Sequence, residues 1–430
     1  MSKTTRMKFL VRPLEQLYSL ERVAAHMNPQ AAGWPSMNIV VDQNSVKKRG
    51  GISVDRTLAT GETVYTIQTY KKRDGATYDV ILTGEDIFKR TAGTDETYTY
   101  LTPTHTTGTV ASLNPAKTVV TGTATNWSGG GVAAGDKFII NADHTDDEEP
   151  DTNWAEVLTV DSDTQITLTA AYTGASSSGA YKIRKVYSVP TDERWAWAVA
   201  GDKFVFSNGN ENVQYFDGTT VGDLDSEAVK ARYLVNYANR LFMADLYIEG
   251  QREPWTVMWS KENDPTDFAD DTAGSADFVG TEEPIVGLGV VGNALLVYKK
   301  TSITIGNRTG QATNPVAFPY ERKGVGLHAP YSLVHAMGTN FFLGTTNFYM
   351  INGDMPEAIG DQIRDKFFFE VEESERNKVW GAWVPRRHCV VWMALTNSID
   401  GRMAFVYDYI HHTWMTYKFA KDITAIGERG

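Results

Sequence analysis

The chain has 430 residues, 42% of them hydrophobic and 11% aromatic, enough apolar material for a large core and too much for a disordered chain. Its formal net charge of −12 argues against a protein held on nucleic acid by phosphate contacts, which needs a basic face. An acidic wall can still border a path along which DNA slides, because it repels phosphate where a basic wall would hold it.

Cys389 is the only cysteine, which excludes an intrachain disulfide and a zinc site built on paired cysteines and suits assembly in a reducing cytoplasm. No apolar run approaches the roughly 20 residues of a membrane-spanning helix. The basic start, Met1 to Lys8, is not followed by the apolar stretch of a secretory signal.

In chain order, the first element is a short helix: Leu14, Leu17, Leu20 and Ala24 recur at spacings of three to four, between Pro13 and Pro29. It belongs to an N-terminal arm, residues 1–35. Short strands follow at Asn38–Val41 and Val46–Ile52, and from there the pattern is one of strands of five to eight residues between Gly, Asn, Asp and Pro turns. A degenerate repeat organises them. An apolar strand recurs at Phe204–Phe206, Leu241–Met243, Leu295–Val297, Phe341–Leu343 and Cys389–Val391, with starts 37, 54, 46 and 48 residues apart. Each is preceded by another strand (Trp195–Ala200, Tyr233–Tyr237, Ile285–Val290, Leu333–Met337, Val379–Val384). Each is followed by a third (Val213–Phe216, Trp255–Trp259, Ser302–Ile305, Phe348–Ile351, Met403–Tyr407). Strand groups recurring every 40–50 residues or so are the mark of propeller blades.

An earlier copy runs through Val64–Tyr70 and Val80. From Val80 to Phe204 is 124 residues, and setting aside the 82 residues Thr104–Lys185 leaves 42, the blade spacing. That stretch therefore reads as an insertion, a compact antiparallel barrel or sandwich with tight Asp/Ser/Gly turns. At the other end, Ile423–Gly430 repeats the pattern of Ile285–Gly292. The chain is thus expected to stop after an inner strand and to close the ring by sharing a blade between its two ends, which would hide a sheet edge. The expected fold is all-β: a six- or seven-bladed β-propeller of residues 36–103 and 186–430, with an inserted β module at 104–185.

Few residues point to chemistry. The acidic run Asp143–Asp151 could bind calcium through carboxylates but lacks the ordered spacing of a calcium loop. His411 and His412 are followed by Thr413-Trp414 in a strand connection after an aromatic stretch, a structural setting rather than a metal site. Gly287, Gly289 and Gly292 fit a dinucleotide-binding spacing, yet lie between two strands with no helix to face a pyrophosphate. Trp255, Trp259, Trp380, Trp383, Trp392 and Trp414 could line a sugar site, but strand alternation directs most of them between blades. Trp127 and Trp154, in the insertion, are open to either placement. No turn resembling the Ser-x-Asp-x-Gly-x-Thr-Trp pattern of sialidases, no phosphate loop and no Gly-x-Ser-x-Gly elbow occurs. The expectation is a protein without catalytic, cofactor or metal residues.

One stretch carries a family likeness. Gly324-Val325-Gly326-Leu327-His328-Ala329-Pro330 runs through Ser332-Leu333-Val334 and Phe341-Phe342-Leu343 to Asn347-Phe348-Tyr349, Asn352-Gly353, Ile359-Gly360 and Phe367-Phe368-Phe369. With Val46-Lys47-Lys48-Arg49-Gly50-Gly51 and the phrase from Trp259-Ser260 to Asn263-Asp264-Pro265-Thr266-Asp267-Phe268, it resembles the propeller tail proteins of short-tailed bacteriophages, the nozzle or packaged-DNA stabilisation family. The likeness covers about Asn38–Val54 and Trp195–Phe419; the insertion departs from it. It implies a structural virion protein, assembled in the host cytoplasm. Six copies would form a ring below the portal and its adaptor or connector, prolonging the channel through which double-stranded DNA passes without specific binding. Fibres, spikes, a needle or a plug would attach around that ring. The competing class is a carbohydrate-binding or glycan-hydrolysing propeller.

Overall fold

The computed structural model describes residues 39–42, 45–48, 63–91, 98–144, 153–224, 229–278, 283–397, 401–419 and 423–427. The expected helix of the N-terminal arm lies outside them, as do the early glycines at 50–51. The architecture is all-β, with six four-stranded antiparallel sheets arranged as a six-bladed propeller. Each blade is built from strands consecutive in sequence, running from the axis outward. The blades span 64–100, 196–223, 230–277, 285–323, 334–358 and 380–418 and are numbered 1 to 6 in that order.

The recurring apolar triplets are the second strand of every blade, where both faces are covered by neighbouring blades. Phe204, Val205 and Phe206 are fully buried within Lys203–Ser207, and Leu295, Leu296 and Val297 within Ala294–Lys299. Side chains from adjacent blades interdigitate into separate cores. Tyr70, Val80 and Leu82 of blade 1 meet Phe204 and Phe206 of blade 2, while Phe341 and Phe348 of blade 5 meet Trp392 and Phe405 of blade 6. Comparable clusters join blades 2 and 3, 3 and 4, and 4 and 5.

Between blades 1 and 2, residues 104–184 form a seven-stranded sheet with a core of its own around Trp127, Phe138, Ile166 and Tyr181. A bridge from Val110 to Gly179 brings the last strand of its order back beside the strand Tyr181–Arg184. Thr104 and Arg184 are ladder partners, so the stretch leaves and re-enters the propeller at one place. Arg184 reaches out of this sheet to the buried Asp86 of blade 1, 3.1 Å away, and lies over the Tyr100 ring.

The expectation of a blade shared between the chain ends is corrected by the sheet topology. All four strand positions of blade 6 are filled by Trp380–Val384, Cys389–Leu395, Arg402–Asp408 and Thr413–Lys418. Ile39–Asp42 and Ser45–Lys48 pair only with each other among the described residues. Residues 423–427 belong to no strand; Ile423 and Ile426 pack on blade 6, and Gly427 lies against the Ile67 backbone of blade 1. With no open strand position to enter, the tail runs across the seam instead of pairing in it, and the blade count is six.

Candidate functional site at the propeller axis

The densest polar constellation lies where the six inner strands begin, and the segment between the inserted sheet and blade 2 builds it. Leaving Arg184, the chain is pinned by Val186 N–H donating to Asp136, Tyr187 N–H to the Glu85 carbonyl and the Tyr187 hydroxyl to Gln214. It then reaches the axis, where three successive charged residues face different blades. Asp192 pairs with Lys378 at the entry to blade 6, 3.4 Å away. Glu193 pairs with Arg232 of blade 3 at 2.9 Å and accepts a hydrogen bond from the Tyr331 hydroxyl at the entry to blade 5. Arg194 donates to the carbonyls of Tyr65 in blade 1 and Thr424 in the tail. Its guanidinium lies 4.4 Å from the centre of the Trp380 ring of blade 6 and 5.4 Å from that of Tyr65. Trp195 completes the set, its indole donating to the Thr83 carbonyl of blade 1.

A second layer holds the first. Arg232 also approaches Asp245, which Arg252 grips through two hydrogen bonds of 2.7 and 2.8 Å. Burial, the neighbouring Tyr233 and the carboxylate of Glu193 push the Tyr331 phenol well above its ordinary range. Burial and the carboxylates of Glu193 and Asp245 do the same to Tyr233. Both therefore stay neutral at physiological pH, and Tyr331 serves as a donor rather than an acid. Burial pulls the Arg194 guanidinium down to about 10, which leaves it charged at neutral pH. Opposite charges are matched here, and the pairs serve to hold blades together. Neither nucleophile nor general base is poised toward an open cavity in this cluster.

The residues singled out in the sequence are dispersed. Of the acidic run, Asp143 and His144 are described; Asp143 accepts hydrogen bonds from Tyr172 and Ser176. Among the described residues no group of three or more metal-ligating side chains forms. His411 bonds Asp408 at 2.8 Å, and His412 bonds the Tyr407 hydroxyl at 2.8 Å. Gly287 and Gly289 sit in the inner strand of blade 4, where an added Cβ would fall 2.6 Å from Leu327 and 2.3 Å from Asn340. Gly292 takes the left-handed turn that follows. Trp259, Trp380, Trp392 and Trp414 are buried within or between blades, and Trp255 and Trp383 are half-buried. Trp127 is fully buried in the inserted core, donating to the Tyr181 hydroxyl at 2.8 Å. Trp154 is half-buried under the Arg184 guanidinium.

A cleft of about 480 Å³ opens between blades 3 and 4, lined by Trp259, Gly274, Ser275, Thr313, Asn314 and Phe318 among others. Among the described residues the buried indole N–H of Trp259 has no hydrogen-bond partner. The lining carries hydroxyls and an amide but no ionisable side chain, so it offers binding groups and no acid–base pair. The sequence does not single out the axial cluster, because nothing in residue type or spacing sets Asp192, Glu193 and Arg194 apart from a solvated charge run. Only the topology, which delivers that run to contacts with blades 1, 3, 5 and 6, gives it a role.

No protein-family model matches the chain, and no curated protein sequence matches it. Solved structures similar in arrangement include Hsv2 of Kluyveromyces lactis, 9% identical over 84% of this chain and 99% of that one with a TM-score of 0.35. The WD40 domain of Pan2 from Neurospora crassa is 6% identical over 84% and 81%, with a TM-score of 0.33. The extracellular domain assigned to a hybrid two-component system of B. thetaiotaomicron is 8% identical, with a TM-score of 0.32. The match takes in 87% of this chain but only 48% of that larger domain. At such scores and identities these likenesses carry no argument about function.

Proposed function

We propose that the chain is a structural subunit of a short-tailed phage tail: a nozzle or hub protein, six copies of which form a ring that extends the DNA-ejection channel. The observation that carries the reading is the stretch from Gly324 to Phe369, whose likeness to that family is joined here to a six-bladed propeller. In this fold the stretch does a structural task. Leu327 N–H bonds the Lys299 carbonyl of blade 4, His328 N–H bonds the Leu343 carbonyl of blade 5, and the Ser332 carbonyl accepts the indole N–H of Trp392 in blade 6. A Cβ on Gly326 would fall 2.3 Å from the Lys299 carbonyl oxygen, so the close crossover from blade 4 to blade 5 needs glycine there. These residues set blade-to-blade geometry, as a scaffold protein requires, and no reaction step is assigned to them.

On this reading residues 104–185 are an accessory β-barrel or sandwich and 1–35 an arm, both available to neighbours such as the adaptor, a fibre, a spike or a needle. Identical subunits close a ring through two different, complementary faces. The test is the assembly itself. Electron microscopy of the purified protein and of particles containing it should show sixfold rings at the tail, below the portal. A monomer in every preparation, or a copy placed in the capsid wall, would overturn the reading. The second reading, a glycan-binding propeller, rests on the cleft beside Trp259, whose lining hydroxyls and amide (Ser275, Thr313 and Asn314) suit neutral partners such as sugar hydroxyls. Glycan arrays and chromogenic glycosides separate the two.

A further inference from the structure

We propose that residues 192–194 are the latch of a weak seam between blades 1 and 6, and that the propeller opens at that seam. The chain itself crosses the other five seams, since blades 1 to 6 follow one another in sequence. Each of those five also has an apolar cluster with members from both blades. At the sixth seam the chain passes only as flanking segments, the tail on one side and, on the other, Ile39–Asp42 against the outer strand Thr413–Lys418 of blade 6. Among the described residues no strand is shared across it, and the buried cluster on the facing side of blade 6, around Trp380, Val391 and Met393, is extended by Ala382 and Val384 of the same blade, by Tyr331 and by the tail, with no member from blade 1.

Among the described residues, two contacts join blade 6 to blade 1. The tail lays Ile423 and Ile426 on blade 6 and Gly427 on Ile67 of blade 1. Arg194 touches both blades and the tail together, through the Tyr65 carbonyl, the Trp380 ring and the Thr424 carbonyl. A planar guanidinium can serve all three at once, donating in its plane and stacking on its face, which an ammonium cannot do equally well. Asp192 and Glu193 anchor the same segment to Lys378 and Arg232, so the latch is held from blades 3 and 6 as well. The inference does not rest on the nozzle reading and stands for a solitary propeller too.

Amide hydrogen exchange read by mass spectrometry tests it. Arg194→Met should raise exchange in the seam strands 64–71 and 380–384 by about tenfold or more while leaving 294–308 of blade 4 unchanged, with Arg194→Lys intermediate. An equal rise in all blades, or none at the seam, would overturn the proposal. Should the variant fail to fold, the unmodified protein decides the matter in low urea. Its seam strands should lose protection at lower denaturant than blade 4, and the reverse order sinks the idea.

Discussion

At the scale of single residues, burial decides reactivity and stability. Cys389 begins the second strand of blade 6 and is buried; desolvation, with the Asp408 carboxylate nearby, pushes its thiol up to about 12. The nucleophile is the thiolate, so the folded protein should not react with a disulfide reagent at about pH 8. The denatured chain should release one equivalent of thiol per chain, and fast labelling of the native protein would contradict this placement. Trp392 is fully buried, donates its indole N–H to the Ser332 carbonyl at 2.8 Å and stacks on Trp414 at 5.5 Å between ring centres. Trp392→Ala should cost about 3–5 kcal/mol in denaturant unfolding, from lost burial plus the cavity left behind. A loss below about 1 kcal/mol would mean that the seam between blades 5 and 6 collapses to fill the hole. Trp127 shows the limit of reading single residues: its flanking Asn and Ser suggest a loop, and only the arrival of Tyr181 from 54 positions away buries it.

At the scale of elements, what was legible followed from burial on two faces. Second strands such as Phe204–Phe206 and Leu295–Val297 have neighbours on both sides, so they are continuous apolar runs that stand out in a sequence. The outer strands were not legible. Thr99–Tyr100 and Glu357–Ala358 have two residues each and are largely exposed, while Val316–Lys323 carries Pro319 and four charged or tyrosyl positions from Tyr320 on. Edge strands need little apolar character and gain from polar residues that block further pairing. The insertion gives a sharper test. Because Thr104 and Arg184 are ladder partners, a short Gly/Ser linker can replace 105–183 without moving either end. That variant should keep the propeller's β-rich circular dichroism and its cooperative unfolding. Extending the replacement through Arg184 removes the guanidinium that lies 3.1 Å from the fully buried Asp86, whose Thr102 hydrogen bond remains, and should cost a further 3–5 kcal/mol or so. Equal stability of the two variants would show that Arg184 is dispensable to blade 1. Removing residues 423–430 should lower stability by about 1–3 kcal/mol through lost burial of Ile423 and Ile426. Since no sheet edge is uncovered, aggregation should not accompany the loss.

At the scale of the whole molecule, the closed axis constrains how a ring of these propellers could conduct DNA. Asp192, Glu193 and Arg194 occupy the end of the bore where the inner strands begin, bonded to blades 1, 3, 5 and 6. Duplex DNA therefore cannot run through a single propeller, and in the proposed ring its path lies between copies, along their outer surfaces. Each copy brings a net charge of −12, and a lumen bordered by such surfaces repels phosphate. Binding driven by phosphate neutralisation would show as an affinity falling linearly, on logarithmic axes, with salt. The purified protein should show neither: no retardation of duplex DNA in gels at low ionic strength, where electrostatic attraction is strongest, and no salt-dependent affinity in solution. Retention of duplex at low salt with a steep salt slope would reveal a basic track that the overall charge conceals. The lumen would then grip DNA rather than let it slide. Absence of binding together with sixfold rings would leave the acidic-channel account standing, because each ring would then enclose a path that the duplex can traverse quickly.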